Sequence, residues 1–191
     1  MAVSDQETTM TITALWQPII VTAVVIFIAG WVIWSLMPWH KKEWAKTADE
    51  EAVREALRST EPGMYTLPNA ADMNEFNDPA FQKKYLEGPQ AFITVVPTGP
   101  HMLGGKLLLM FVYNLLVAIL CAYFVSRTMT PESDYLSVFR IAGTTAFVAY
   151  GTAYIQESIW FGRRWSATGL TFLDAMIYAV LTGGVFGWLV G

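Results

Sequence analysis

PIIVTAVVIFIAGWVIWSLM, residues 18–37, runs for twenty positions without a charged side chain. An α-helix rises about 1.5 Å per residue, so such a stretch covers about 30 Å, the thickness of a bilayer's hydrocarbon core. Three more stretches share its length and apolar character: 103–125, 138–160 and 170–190. A strand reading fails, because an open sheet edge finds no hydrogen-bond partner in lipid. The sequence therefore predicts an all-α integral membrane protein with four transmembrane helices. Residues 1–17 form an N-terminal tail, and 38–102 form a small α/β extramembrane unit between helices one and two.

Composition agrees. The 191 residues are 54% hydrophobic, 14% aromatic and only 15% charged, where a soluble domain carries about 25% charged residues. The net charge of -4 is spread over loops and tails. It offers no basic face, so nucleic acid is not an expected partner. Cys121 is the only cysteine and falls inside the second stretch. It reads as a small apolar filler, with neither a disulfide framework nor zinc-type spacing. Residues 1–17 hold no Lys or Arg, and no small-residue cleavage site follows the first stretch. The first helix is thus expected to stay as an anchor rather than leave as a signal peptide.

Charge sets the expected threading. Lys41, Lys42, Lys46, Arg54, Arg58, Lys83, Lys84, Lys106, Arg163 and Arg164 lie on the side of the long loop. Only Arg127 and Arg140 flank the other side. Basic flanks are retained in the cytoplasm. The expectation is a bacterial-type inner membrane, a cytoplasmic long loop and both termini outside. Trp31, Trp34, Trp39, Trp44, Trp160 and Trp165 gather at the loop side, and Trp16 and Trp188 at the opposite one. Indole rings favour the headgroup level, so these read as an interfacial belt. Stacking of some rings on a pigment or quinone is the lesser alternative.

Within the long loop, Thr47 and Glu50 fit a capping box that would start a helix over 48–59. Glu50/Arg54 and Glu55/Arg58 are spaced to pair on its outer face. Pro62-Gly63 ends it. A short strand over 64–67, a helix from Asp78-Pro79 to Glu87 and a second strand over 91–96 follow. About 60 residues fold only marginally alone. This unit is therefore expected to rest on the bundle, the membrane surface or another subunit.

Chemistry is sparse. Glu157 and Asp174 are expected about one turn inside the loop-side boundary, and carboxylates at membrane depth are costly. Tyr150, Tyr154 and Glu157 share one helix face, and Asp174 and Tyr178 share a face of the next. The five form a candidate polar cluster. As a proton relay it lacks a continuation, because the opposite half holds no ionisable side chain on helix one and only Asn114 near the middle of helix two. A structural cluster is the better reading. His40, His101, Glu157 and Asp174 are weak candidates for a metal, since no His-x-x-His or Glu-x-x-His spacing supports them. The expectation is no metal site and no bound cofactor. Leu103-Gly-Gly-Lys106 resembles a phosphate loop but lacks the leading Gly and the Ser or Thr after Lys. No nucleophile elbow or dinucleotide fingerprint occurs.

Small residues repeat every fourth position on helix four at Ala175, Ala179, Gly183 and Gly187. Helix three offers Ala142, Ala146, Ala149 and Ala153. The two series predict a close antiparallel hairpin, because small residues let backbones approach in lipid. Helix three is expected to be unbroken. Taken together, these features suggest a non-catalytic accessory or structural subunit of a larger membrane complex, of respiratory or photosynthetic type. Its partners would be lipid and other membrane subunits. The alternatives are a small oligomeric transporter or channel using Glu157 and Asp174, with the chain as a homo-oligomer, and a membrane metalloenzyme.

Overall fold

The computed structural model of the protein describes residues 10–100 and 102–191. Two compact units are present, one holding the chain up to Trp44 and from Met102 onward, the other the segment from Ala45. Three helical stretches are long and apolar enough to cross a membrane: Ile12–Leu36, Leu103–Thr128 and Trp165–Val190.

In the first unit, a 3-10 turn over Ile12–Leu15 leads into α1, Trp16–Leu36. The Thr11 hydroxyl accepts from the Ala14 N–H and caps this turn. Part of the expected tail is thus helical, and residues 1–9 lie outside the described set. Pro38 forces Met37 into an extended conformation and stops α1. A second 3-10 turn, Trp39–Lys42, follows at once.

After the second unit come α5 (Leu103–Thr128), α6 (Tyr135–Gly151), α7 (Ala153–Trp160) and α8 (Trp165–Val190). The Asp134 carboxylate caps α6, accepting from the Ser137 hydroxyl at 2.7 Å and the Ser137 N–H at 3.1 Å. These bonds, the hydroxyl's foremost, hold its carboxyl below the usual range. The expectation of one unbroken third helix is corrected. The helix is interrupted at Thr152, whose hydroxyl donates to the Val148 carbonyl at 2.8 Å. Thr145 and Thr171 make the same back-bond inside unbroken helices, so this bond alone does not account for the break. The Ile155 N–H then bonds the Thr152 carbonyl in a tighter three-residue step. Helix four also starts at Trp165 rather than at 170, so most of the expected turn is helical.

The bundle's main contact is the α6–α8 hairpin, and the glycines show why it is so close. A Cβ added at Gly183 would lie 2.8 Å from the Phe139 carbonyl oxygen. One at Gly187 would lie 2.8 Å from the Tyr135 ring, and one at Gly143 3.0 Å from the Ala179 carbonyl. The stripe on α8 therefore meets Tyr135, Phe139 and Gly143. The alanine series on α6 is placed differently. Ala142 and Ala146 are fully buried, but the Ala142 carbonyl accepts from the Cys121 thiol of α5, and that of Ala149 from the Tyr113 hydroxyl of α5. Ala153, past the interruption, is exposed. α1 packs on α5 and α8, with Ile26, Val125, Val138 and Phe186 fully buried between the helices.

In the second unit, β1 (Gly63–Leu67) pairs antiparallel with β2 (Ala91–Val95), Tyr65 opposite Ile93. α2 spans Glu50–Leu57, α3 Met73–Phe76 and α4 Pro79–Glu87. Asp78 caps α4 as expected, and Gly88 ends it at φ 63°, a value that favours glycine. Two expectations are corrected. Asp49 rather than Thr47 caps α2, its carboxylate accepting from the Ala52 N–H. Arg54 pairs with Glu51 and Glu50 with Lys46 instead of with each other. α3 was not anticipated; Asp72 caps it, accepting from both Asn74 and Glu75 N–H groups. Phe76, Phe81 and Tyr85 form a small aromatic cluster.

Candidate functional site

The 3-10 turn after Pro38 decides where the chemistry gathers. Three residues per turn put positions 40 and 43 on one face. His40 Nδ1 lies 2.6 Å from Glu43 Oε1, and His40 Nε2 lies 2.8 Å from Asp174 Oδ2 of α8. Trp39 Nε1–H donates to the other Asp174 oxygen at 3.3 Å. The Trp34 ring lies flat on the imidazole, with centroids 4.1 Å apart and planes at 7°. The side chains of His40, Glu43 and Asp174 are all buried. Arg163 extends the network. Its Nη2 donates to Thr171 Oγ1 at 2.9 Å and lies 3.7 Å from Glu43, while its guanidinium covers the Tyr154 ring at 4.7 Å.

The arrangement ties the end of α1 to α8 through one imidazole held between two carboxylates. Buried charges persist when paired and hydrogen-bonded, and here every carboxylate has a partner. The two ring nitrogens point apart, so Glu43 and Asp174 cannot converge with His40 on one ion. Among the described residues no group of three His, Cys, Asp or Glu side chains is arranged to hold a metal.

The predicted cluster is thus partly assembled and partly not. Asp174, Tyr150 and Tyr178 are buried. The Tyr150 and Tyr178 rings meet edge to face at 5.1 Å, and the Tyr150 hydroxyl donates to Asn114 Oδ1 at 3.2 Å. Tyr154 stands under Arg163. Glu157 lies on α7, beyond the interruption at Thr152, and is exposed; it does not join Asp174. His101 lies outside the described residues. Sequence reasoning missed Glu43 as the third ionisable member, although His-Lys-Lys-Glu directly after a helix-ending proline carries the spacing. Trp34 and Trp39 were assigned to the interfacial belt, yet one stacks on His40 and the other bonds Asp174. Trp16, Trp31, Trp34, Trp44, Trp160, Trp165 and Trp188 are exposed, Trp34 while stacking on His40.

Beside this network, the bundle holds a cavity of about 690 Å³, reached by Trp31 and Trp34 of α1, Tyr113 and Asn114 of α5, Tyr150 of α6, and Asp174 and Tyr178 of α8. Compared with protein-family models, curated proteins and solved structures, the chain matches none.

Proposed function

We propose that the chain crosses a membrane four times and serves as a non-catalytic structural subunit of a larger membrane assembly. The fourth crossing is α6 with α7. Seventeen residues of α6 rise about 26 Å, and α7 brings the pair past the roughly 30 Å of a hydrocarbon core. The observation that carries the subunit reading is the number of exposed apolar side chains on the second unit. Met64, Leu67, Leu86 and Val96 are exposed, Leu86 to 85%. Lipid explains exposed leucines on a membrane helix, but not on a polar segment. Exposed apolar residues grouped on one small unit mark a surface that a partner covers. The His40 clamp supports the same reading, because its groups are engaged in tying α1 to α8.

A paired substitution tests this. Leu86→Glu with Val96→Glu should release the partner chains from the purified assembly. Melting of the isolated chain should move little, since exposed positions contribute within about 0.5 kcal/mol. Retention of every partner by the double variant would remove the support.

The basic flanks support a cytoplasmic second unit. Cysteines introduced at Asn74 and Ser133 report this in intact cells with a membrane-impermeant thiol reagent. The Ser133 site should be labelled and the Asn74 site protected. The reverse pattern would invert the threading, and equal labelling of both would contradict the span count.

A further inference from the structure

The cavity beside the clamp has polar atoms that the fold leaves unanswered. Asn114 is fully buried on α5, and its Oδ1 is taken by the Tyr150 hydroxyl. Its Nδ2 is buried and has no hydrogen-bond partner. Arg163 lines the same cavity, and its Nε is likewise buried and unpartnered although its Nη2 is engaged. Leaving a buried donor unpaired is costly, more so for a charged group. Two such donors on one cavity define what would satisfy them: a molecule that brings acceptors.

The rest of the lining narrows the class. A volume of about 690 Å³ falls in the range of sites for drug-sized ligands. Trp31, Trp34, Tyr113, Tyr150 and Tyr178 supply aromatic surface, which suits a flat conjugated ring. Glu43 and Asp174 also line the cavity. Two carboxylates against one arginine and one histidine disfavour a phosphate headgroup and leave a neutral carbonyl acceptor unopposed. Leu103, Leu107 and Met110 line the cavity and are also exposed on α5, so an apolar tail can run out along them into lipid.

We propose that this cavity binds a neutral flat ring bearing carbonyl acceptors and an apolar tail, the chemistry of a membrane quinone, with Asn114 and Arg163 as the donors. The site stands apart from the subunit reading and needs no partner chain.

Calorimetric titration of the purified chain in detergent with decylubiquinone tests it. Decyl phosphate and decanol carry comparable tails with a different head. Decylubiquinone should saturate at one molecule per chain and bind at least tenfold tighter than either control. Asn114→Leu should weaken it at least tenfold. Should that variant fail to fold, Leu107→Trp at the exposed rim obstructs the tail path and should weaken binding by a similar factor. Absence of saturable quinone binding overturns the proposal. So does decyl phosphate binding as tightly, which would mark a lipid-phosphate site, or decanol doing so, which would mark an apolar void. Wild-type affinity in the folded variants overturns it as well.

Discussion

Replacing His40 with alanine is expected to destabilise the protein by about 2 kcal/mol or more, because it leaves two hydrogen-bonded buried carboxylates without their shared partner. The ring separates Glu43 from Asp174, touching both, and carries Trp34 on its face. Without it, two buried carboxylates face one another across a hole, and the end of α1 loses its tie to α8. Asp174→Asn should be milder, because an amide still accepts from Trp39. Glu157→Gln should be nearly silent, since its side chain is exposed. Unfolding in detergent, followed by tryptophan fluorescence, measures all three. If His40→Ala melted with the wild type, the clamp would not hold the bundle.

The second large effect falls on the hairpin. Gly183→Ala should cost about 1–3 kcal/mol, and Gly183→Leu more, because the new side chain meets the Phe139 carbonyl and ring at once. Backbone cannot swing aside as a long side chain does. The neighbouring Gly184→Ala is the matched control. Its Cβ would find nothing closer than the Tyr135 hydroxyl at 3.9 Å, so it should be neutral or slightly stabilising. Met176→Leu, on the exposed face, should also change little. Thermal melts of the isolated chain rank the four. Similar melts for Gly183→Leu and Gly184→Ala would mean that α6 and α8 are not in contact there.

The apolar stretches at 18–37, 103–125 and 170–190 were legible because length and the lack of charge are local properties. The interruption of the third stretch was not. Thr152 sits in an apolar run whose composition suits a continuous helix, and its hydroxyl's choice of the Val148 carbonyl is visible only in three dimensions. Glu157 and Asp174 share a level near the loop-side boundary, yet Glu157 lies beyond the interruption and is exposed. The stripe on α8 was readable as a period of four, but its partner face was not. Period-four alanines on α6 exist, yet it is Gly143 that meets the α8 backbone, at the Ala179 carbonyl, while the Ala142 carbonyl accepts from Cys121 of α5. Asp174 was legible as a costly carboxylate near the boundary, and His40 only as a weak metal candidate. Their meeting across 134 residues of chain was not, because nothing local records which helix the turn after Pro38 faces. Glu43 was hidden among exposed charges of the loop.

If this chain is one part of a larger membrane assembly, the mass and stoichiometry of the native particle will reveal it. Extraction in mild detergent followed by native mass spectrometry should give a complex well above the 21.3 kDa of the chain, with other polypeptides in fixed whole-number ratio to it. A particle containing this chain alone, as a monomer or a ring of identical copies, would contradict the account.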